Sequence, residues 1–173
     1  MRNTNKQIHK LTLLSILTAA ALILSYVEAV LPPIFASVPG IKIGLPNIII
    51  IFILYRMGVS SAISVALVRI TLSSLLFGNP ISFLYSLAGA LLSIAVMILL
   101  KKMNFLSSVG VSVAGGIFHN VGQILAAMLL LKTVQIGYYM IVLAVTGTLS
   151  GLFIGLCGAF VIYRFPKITS ADQ

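Results

Sequence analysis

The residues able to do chemistry in this chain are few, and they stand inside apolar surroundings. Only two acids occur, Glu28 and Asp172, against eleven Lys and Arg. Asp172 lies in a polar tail, which leaves Glu28 as the carboxylate set in an apolar run and Arg69 as its cationic counterpart at the middle of another. A charged group at bilayer depth costs about 2.5–3.5 kcal/mol even on insertion scales, so each needs a reason to be there. One reason is an ion pair that locks two helices together. Another is a ligand, with the long arginine side chain reaching outward to meet it. A second cluster follows in Gly115-Gly116-Ile117-Phe118-His119-Asn120-Val121-Gly122-Gln123. On a helix, Ser112, Gly116, His119, Asn120 and Gln123 fall within one arc of about 100°. Such a stripe must face protein or water rather than lipid. Any one of these residues serves most simply as an interhelical hydrogen-bonding group; the set together points to a cavity lining.

Several chemistries lack their parts. His119 has no second His or Cys at metal-ligand spacing, so no metal is implied. There is no GxxxxGK[ST] loop to cradle ATP, and no aspartate pair to hold Mg²⁺ against a diphosphate. A Ser-His-Asp triad fails for want of an acid at depth beyond Glu28. The chain is expected to be no enzyme and to carry no cofactor. The lone Cys157 sits in an apolar run, excluding a disulfide framework.

The elements that position these residues follow from composition. The chain has 173 residues, 60% hydrophobic and 8% charged, with a mean hydropathy of +1.19. A soluble domain carries about a quarter charged residues, so the bilayer is the expected solvent. The net charge of +9 is scattered in ones and twos at the ends of apolar runs. That is the pattern of topology signals and headgroup contacts, not of nucleic-acid binding. Six runs are predicted as helices: Leu11–Leu31, Leu45–Tyr55, Val59–Phe77, Ile81–Leu100, Leu106–Leu131 and Tyr138–Tyr163. The fold class expected is an all-α bundle of six transmembrane helices. Residues 11–164 form its single domain, with a cytoplasmic segment at 1–10 and a cytoplasmic tail at 165–173. The second run is short, either a short helix or half of a broken one.

Orientation follows from the basic residues. With the N-terminus inside, Arg2, Lys6, Lys10, Arg56, Lys101, Lys102, Arg164 and Lys167 are cytoplasmic, and Lys42 and Lys132 are outside. Eight against two predicts both termini in the cytoplasm of a plasma-membrane protein. A secretory signal peptide is the competing reading of the first run, which is longer than a usual h-region and lacks a clean small-x-small site.

At about 1.5 Å per residue, Arg69 lies ~15 Å above the inner face and Glu28 ~26 Å. On the same scale, His119 and Gln123 lie at ~20 and ~26 Å. Asn47, early in the second run, belongs to the same outer half. Glu28, Asn47, His119, Asn120 and Gln123 are thus expected around a cavity open to the outside, lidded by the Pro32–Gly44 loop with Lys42. Gly147, Gly151, Gly155 and Ala159 recur every fourth residue, a face for tight helix packing. Ala19, Ala20 and Ala21 form a small-residue patch in the inner half of the first run, available to a partner helix.

The segments Leu24-Ser25-Tyr26-Val27-Glu28, Gly40-Ile41-Lys42-Ile43-Gly44-Leu45-Pro46-Asn47, Val68-Arg69-Ile70, Ser86-Leu87-Ala88-Gly89, Gly110-Val111-Ser112 and His119-Asn120-Val121-Gly122-Gln123 resemble the Gx transporter family. That family is also labelled heptaprenyl diphosphate synthase component I. The resemblance covers roughly residues 11–160. The family is similar to the substrate-binding S components of energy-coupling factor (ECF) transporters. The resemblance implies capture of a small vitamin-like, isoprenoid or cofactor precursor, and delivery through a transmembrane coupling subunit with ATPases. It makes Ala19–Ala21 the docking face and the first loop the substrate lid. Arg69, Lys42, His119 and Asn120 would contact anionic or carbonyl groups, with Glu28 orienting Arg69. The alternative is a non-transporting accessory subunit of prenyl diphosphate, quinone or flavin-linked redox pathways. Proton coupling through Glu28 is a third.

Overall fold

The computed structural model describes residues 2–31 and 43–165. Among these, the chain is all helix: α1 (Arg2–Val30), α2 (Asn47–Arg56), α3 (Val59–Phe77), α4 (Pro80–Met103), α5 (Ser108–Leu131), a 3₁₀ turn (Val134–Tyr139) and α6 (Met140–Arg164). Helix boundaries fall where turn chemistry puts them. Gly78-Asn79-Pro80 ends α3 and starts α4, with the Asn79 side chain accepting from the Ser82 amide at 2.8 Å and proline in the first turn. Ser107 caps α5 in the same way, accepting from Gly110 N–H at 3.3 Å. At the far ends of α4 and α5, Asn104 and Lys132 take left-handed conformations that stop the helix. The basic segment expected to precede the first span is itself helical from Arg2, continuous with α1.

Five helices are long and apolar enough to cross a membrane; α2 is not. Its ten residues reach about 15 Å, half of a ~30 Å hydrocarbon layer. All six expected helices are present; five have the length of a span, and the second is the short one that its run suggested. The sequence of α2, Asn47-Ile-Ile-Ile-Ile-Phe-Ile-Leu-Tyr-Arg56, is apolar all round, and such a helix must be enclosed on every side. Ile50 to Leu54 are all buried, against α1, α3, α5 and α6. Its last turn is held from two neighbours. Lys101 of α4 donates to the Leu54 carbonyl and lies over the Tyr55 ring, 5.0 Å from its centroid. Arg56 donates through Nη2 to the Ile162 carbonyl near the end of α6. Two of the basic residues assigned to topology therefore also satisfy helix-end carbonyls.

The other helices meet through small residues. A Cβ placed on Gly151 would come within 2.7 Å of the Val113 Cα, and one on Gly155 within 2.9 Å of the Val109 Cα. The glycine stripe of α6 is therefore the surface on which α5 lies at backbone distance, as the four-residue spacing predicts. The opposite side of α5 does the same to α4, where a Cβ on Gly122 would sit 2.7 Å from the Ala88 carbonyl oxygen. By contrast α1 rests mainly on α3 and α2 and leaves much of its surface, including Ile16, Ile23 and Val30, exposed. In a bilayer that surface is wetted by lipid.

Candidate functional site

A full-length second span would fill the bundle end to end. Because α2 stops at Asn47, half a bilayer from its Arg56 end, the volume beyond it is left for polar side chains. A cavity of about 80 Å³ lies there, lined from every helix. Ser25 and Glu28 come from α1, the Ile43–Pro46 turn and Asn47 form its floor, and Arg69, Ser73 and Phe77 come from α3. Ser86 belongs to α4, Gly116, His119, Asn120 and Gln123 to α5, and Ser150 and Ile154 to α6. Six of the seven residues expected to bind substrate (Glu28, Asn47, Arg69, His119, Asn120 and Gln123) thus share one cavity. The seventh, Lys42, lies outside the described residues, as does most of the loop expected to be the lid.

Each polar group is positioned by an identifiable device. The Glu28 carboxylate accepts the Gly44 amide proton, which ties the last turn of α1 to the chain entering α2. Gly44 has φ +81°, a left-handed conformation that L side chains rarely adopt. A Cβ there would also stand 3.0 Å from Ile154 Cδ1 and 3.1 Å from Asn47 Nδ2. The K-x-G-x-x-N spacing has a physical reading in this turn: Gly44 turns the chain and presents its N–H to Glu28. Its carbonyl then accepts the Asn47 N–H at 2.8 Å.

Arg69 is held along the face of α3 toward α1. Its Nη1 reaches Ser25 Oγ at 3.5 Å, and that hydroxyl donates onward to the Ala21 carbonyl at 2.9 Å. The Glu28 carboxylate acts on the guanidinium electrostatically. Arg69 Nε is buried and has no hydrogen-bond partner among the described residues. Donor capacity on this side chain therefore remains for something else.

The α5 stripe divides into two parts. Asn120 Nδ2 donates to the Leu143 carbonyl of α6 at 2.7 Å. Gly147 makes this possible, because a Cβ there would stand 2.9 Å from the same nitrogen. Asn120 is both a cavity wall and a strut between α5 and α6. Ser112, grouped with the stripe by angle, is buried outside the cavity, its Cβ facing Gly155. His119 and Gln123 face α4 at Gly89, where a Cβ would meet the His119 carbonyl oxygen at 2.7 Å and Gln123 Cγ at 2.9 Å.

Sequence reasoning did not single out Ser73, Ser86 and Ser150 as cavity residues. Single hydroxyls in apolar helices give little signal on their own, and only convergence in space gives them meaning. The small-residue patch of α1 also changes character. Ala19 is exposed and Ala20 half-buried, but Ala21 is 0% exposed. The three therefore do not share one accessible face, and Ala21 belongs to the bundle interior. Among the described residues no group of three or more His, Cys, Asp or Glu is placed to hold a metal.

An apolar helical bundle that encloses a polar cavity beyond a half-length helix defines a multi-pass membrane protein with a buried polar site. The profile of the family described as heptaprenyl diphosphate synthase component I matches residues 17–161, and the chain belongs to that family. The match runs from α1 to α6 and includes every described cavity residue. Comparison with curated proteins and with solved structures returns no match.

Proposed function

We propose that this protein is a membrane-embedded substrate-binding subunit, similar to the S components of ECF transporters. It would take up a small vitamin-like, isoprenoid or cofactor precursor with energy from a partner ATPase module. The observation that carries this reading is the cavity above α2, where Glu28, Arg69, His119, Asn47 and Gln123 converge. Intramembrane ionisable groups gathered at a broken or shortened helix are the general mark of a substrate site in transporters. The chain is read as non-catalytic, a component in the family's sense rather than a synthase. With both termini in the cytoplasm, the cavity opens outward. Delivery inward then requires a partner, because this chain carries no ATP-binding loop.

The test is co-purification under mild solubilisation, followed by reconstitution. An ATPase pair and a membrane coupling subunit should purify with the tagged chain. Vesicles holding the assembly should accumulate the compound released from it only when ATP is supplied. Release of a compound without any ATP-dependent uptake would favour the accessory-subunit reading, in which the cavity holds a headgroup and nothing crosses. Uptake that follows a pH gradient, needs no ATP and is abolished by Glu28→Gln would favour proton coupling.

A further inference from the structure

The cavity's charge and size narrow what it holds, and this inference rests on its being a binding site. Among the described lining residues there is one cation, Arg69, and one anion, Glu28; the rest are neutral amides, hydroxyls, apolar side chains and the imidazole of His119. Over the described lining the two charges balance. At bilayer depth a ligand that brought net charge would leave an uncompensated ion in a poorly solvating environment, at a cost that dwarfs an ordinary hydrogen bond. A net-neutral group is not penalised in this way. The lining also offers both polarities, guanidinium and amide N–H donors beside carboxylate and amide oxygen acceptors. Arg69 Nε, buried and without a partner among the described residues, calls for an acceptor. A cavity of about 80 Å³ lies far below the ~300–1,000 Å³ of pockets that enclose whole drug-sized ligands. It takes one compact group.

We infer that the group seated here is net-neutral and carries an acceptor facing Arg69 beside a donor facing the acceptor side of the cavity. An amide, imide or ureido edge has this chemistry. A diphosphate does not: its multiple negative charges call for several cations or Mg²⁺. The family's descriptive name would suggest a diphosphate ligand; the charge balance of the described lining argues for a carbonyl–amide edge.

The experiment uses the full chain in lipid nanodiscs, its thermal unfolding followed with four compact probes: acetamide, acetate, methylammonium and inorganic pyrophosphate. At about five times its Kd a bound probe raises the midpoint by roughly 2–4 °C for a chain of this size. Acetamide should stabilise the wild-type chain, and the charged probes should not. Glu28→Gln keeps an acceptor for the Gly44 amide while leaving the cavity cationic, and should shift the preference to acetate. Arg69→Gln leaves it anionic and should shift the preference to methylammonium. Where a variant fails to fold, the small molecule released from the wild-type chain gives the answer by its formula and ionisation. Pyrophosphate stabilisation that disappears in Arg69→Gln, or a released ligand bearing a phosphate or diphosphate, would overturn the inference while leaving the binding role standing. A wild-type chain indifferent to all four probes that also releases no compound would overturn both.

Discussion

At the scale of single residues, Arg69 and Gly44 carry the site in different ways. Arg69 supplies the cavity's one described positive charge, so Arg69→Ala should lower ligand occupancy by more than tenfold, consistent with ~1.5–3 kcal/mol for a hydrogen bond to a charged group. Removing the guanidinium also leaves the Glu28 carboxylate without the charge that acts on it, so the melting point should fall as well; mass spectrometry of released compounds beside a thermal melt separates the two effects. Gly44→Ala acts through the backbone. It places a Cβ at φ +81° against Ile154 and Asn47 and should cost ~1–2 kcal/mol or more. Because Gly44 N–H is the proton that Glu28 accepts, occupancy should fall along with stability. Glu28 and Arg69 were legible from sequence because charge in an apolar run is conspicuous. The bond from Gly44 to Glu28 was not, since a main-chain donor leaves no mark in side-chain types.

At the scale of elements, close helix contact through glycine accounts for much of the bundle. Gly151→Ala should destabilise by about 1–3 kcal/mol, because the added methyl meets the α5 backbone rather than a side chain that can rotate away. Gly137→Ala is the control. Its Cβ would meet nothing nearer than 3.8 Å, the Met128 methyl, and the change should stay within ~0.5 kcal/mol. Unfolding in nanodiscs measures both. The stripe on α6 was readable because its spacing of four is a helical period. Its counterpart on α4, Ala88-Gly89 against Gly122, was harder to see, because no repeat marks it. Short α2 was visible as a weak hydrophobic run, but its consequence was not. A run of ten apolar residues does not say whether its missing half is absent or displaced, and the cavity above it depends on that difference.

For the whole molecule, membrane character, helical class and the location of the polar cluster followed from composition and periodicity. The rise of about 1.5 Å per residue was enough to bring Glu28, Asn47, His119, Asn120 and Gln123 to one end of the bundle. It placed Arg69 lower, near the middle of the bilayer, yet Arg69 borders the same cavity. The alanine patch shows where this kind of reckoning stops. Three consecutive residues on a helix point in directions 100° apart, and only tertiary packing decides that Ala21 is enclosed while Ala19 is not. The basic-residue asymmetry leads to a topological expectation at this scale. Single cysteines at each terminus, in a Cys157→Ala background, should resist a membrane-impermeant maleimide in intact cells and react after permeabilisation. Labelling of either terminus in intact cells would reverse the cavity's direction of opening. It would remove the argument for capture from outside.

The central claim is that the cavity above α2 is occupied by a small molecule in the working protein. The direct measurement is mass spectrometry of the compounds released from the natively purified chain, wild type beside Arg69→Ala. The account requires one small compound near stoichiometric amount from the wild type and its loss from the folded variant. An empty wild-type chain, or equal amounts of the compound from both, would contradict it.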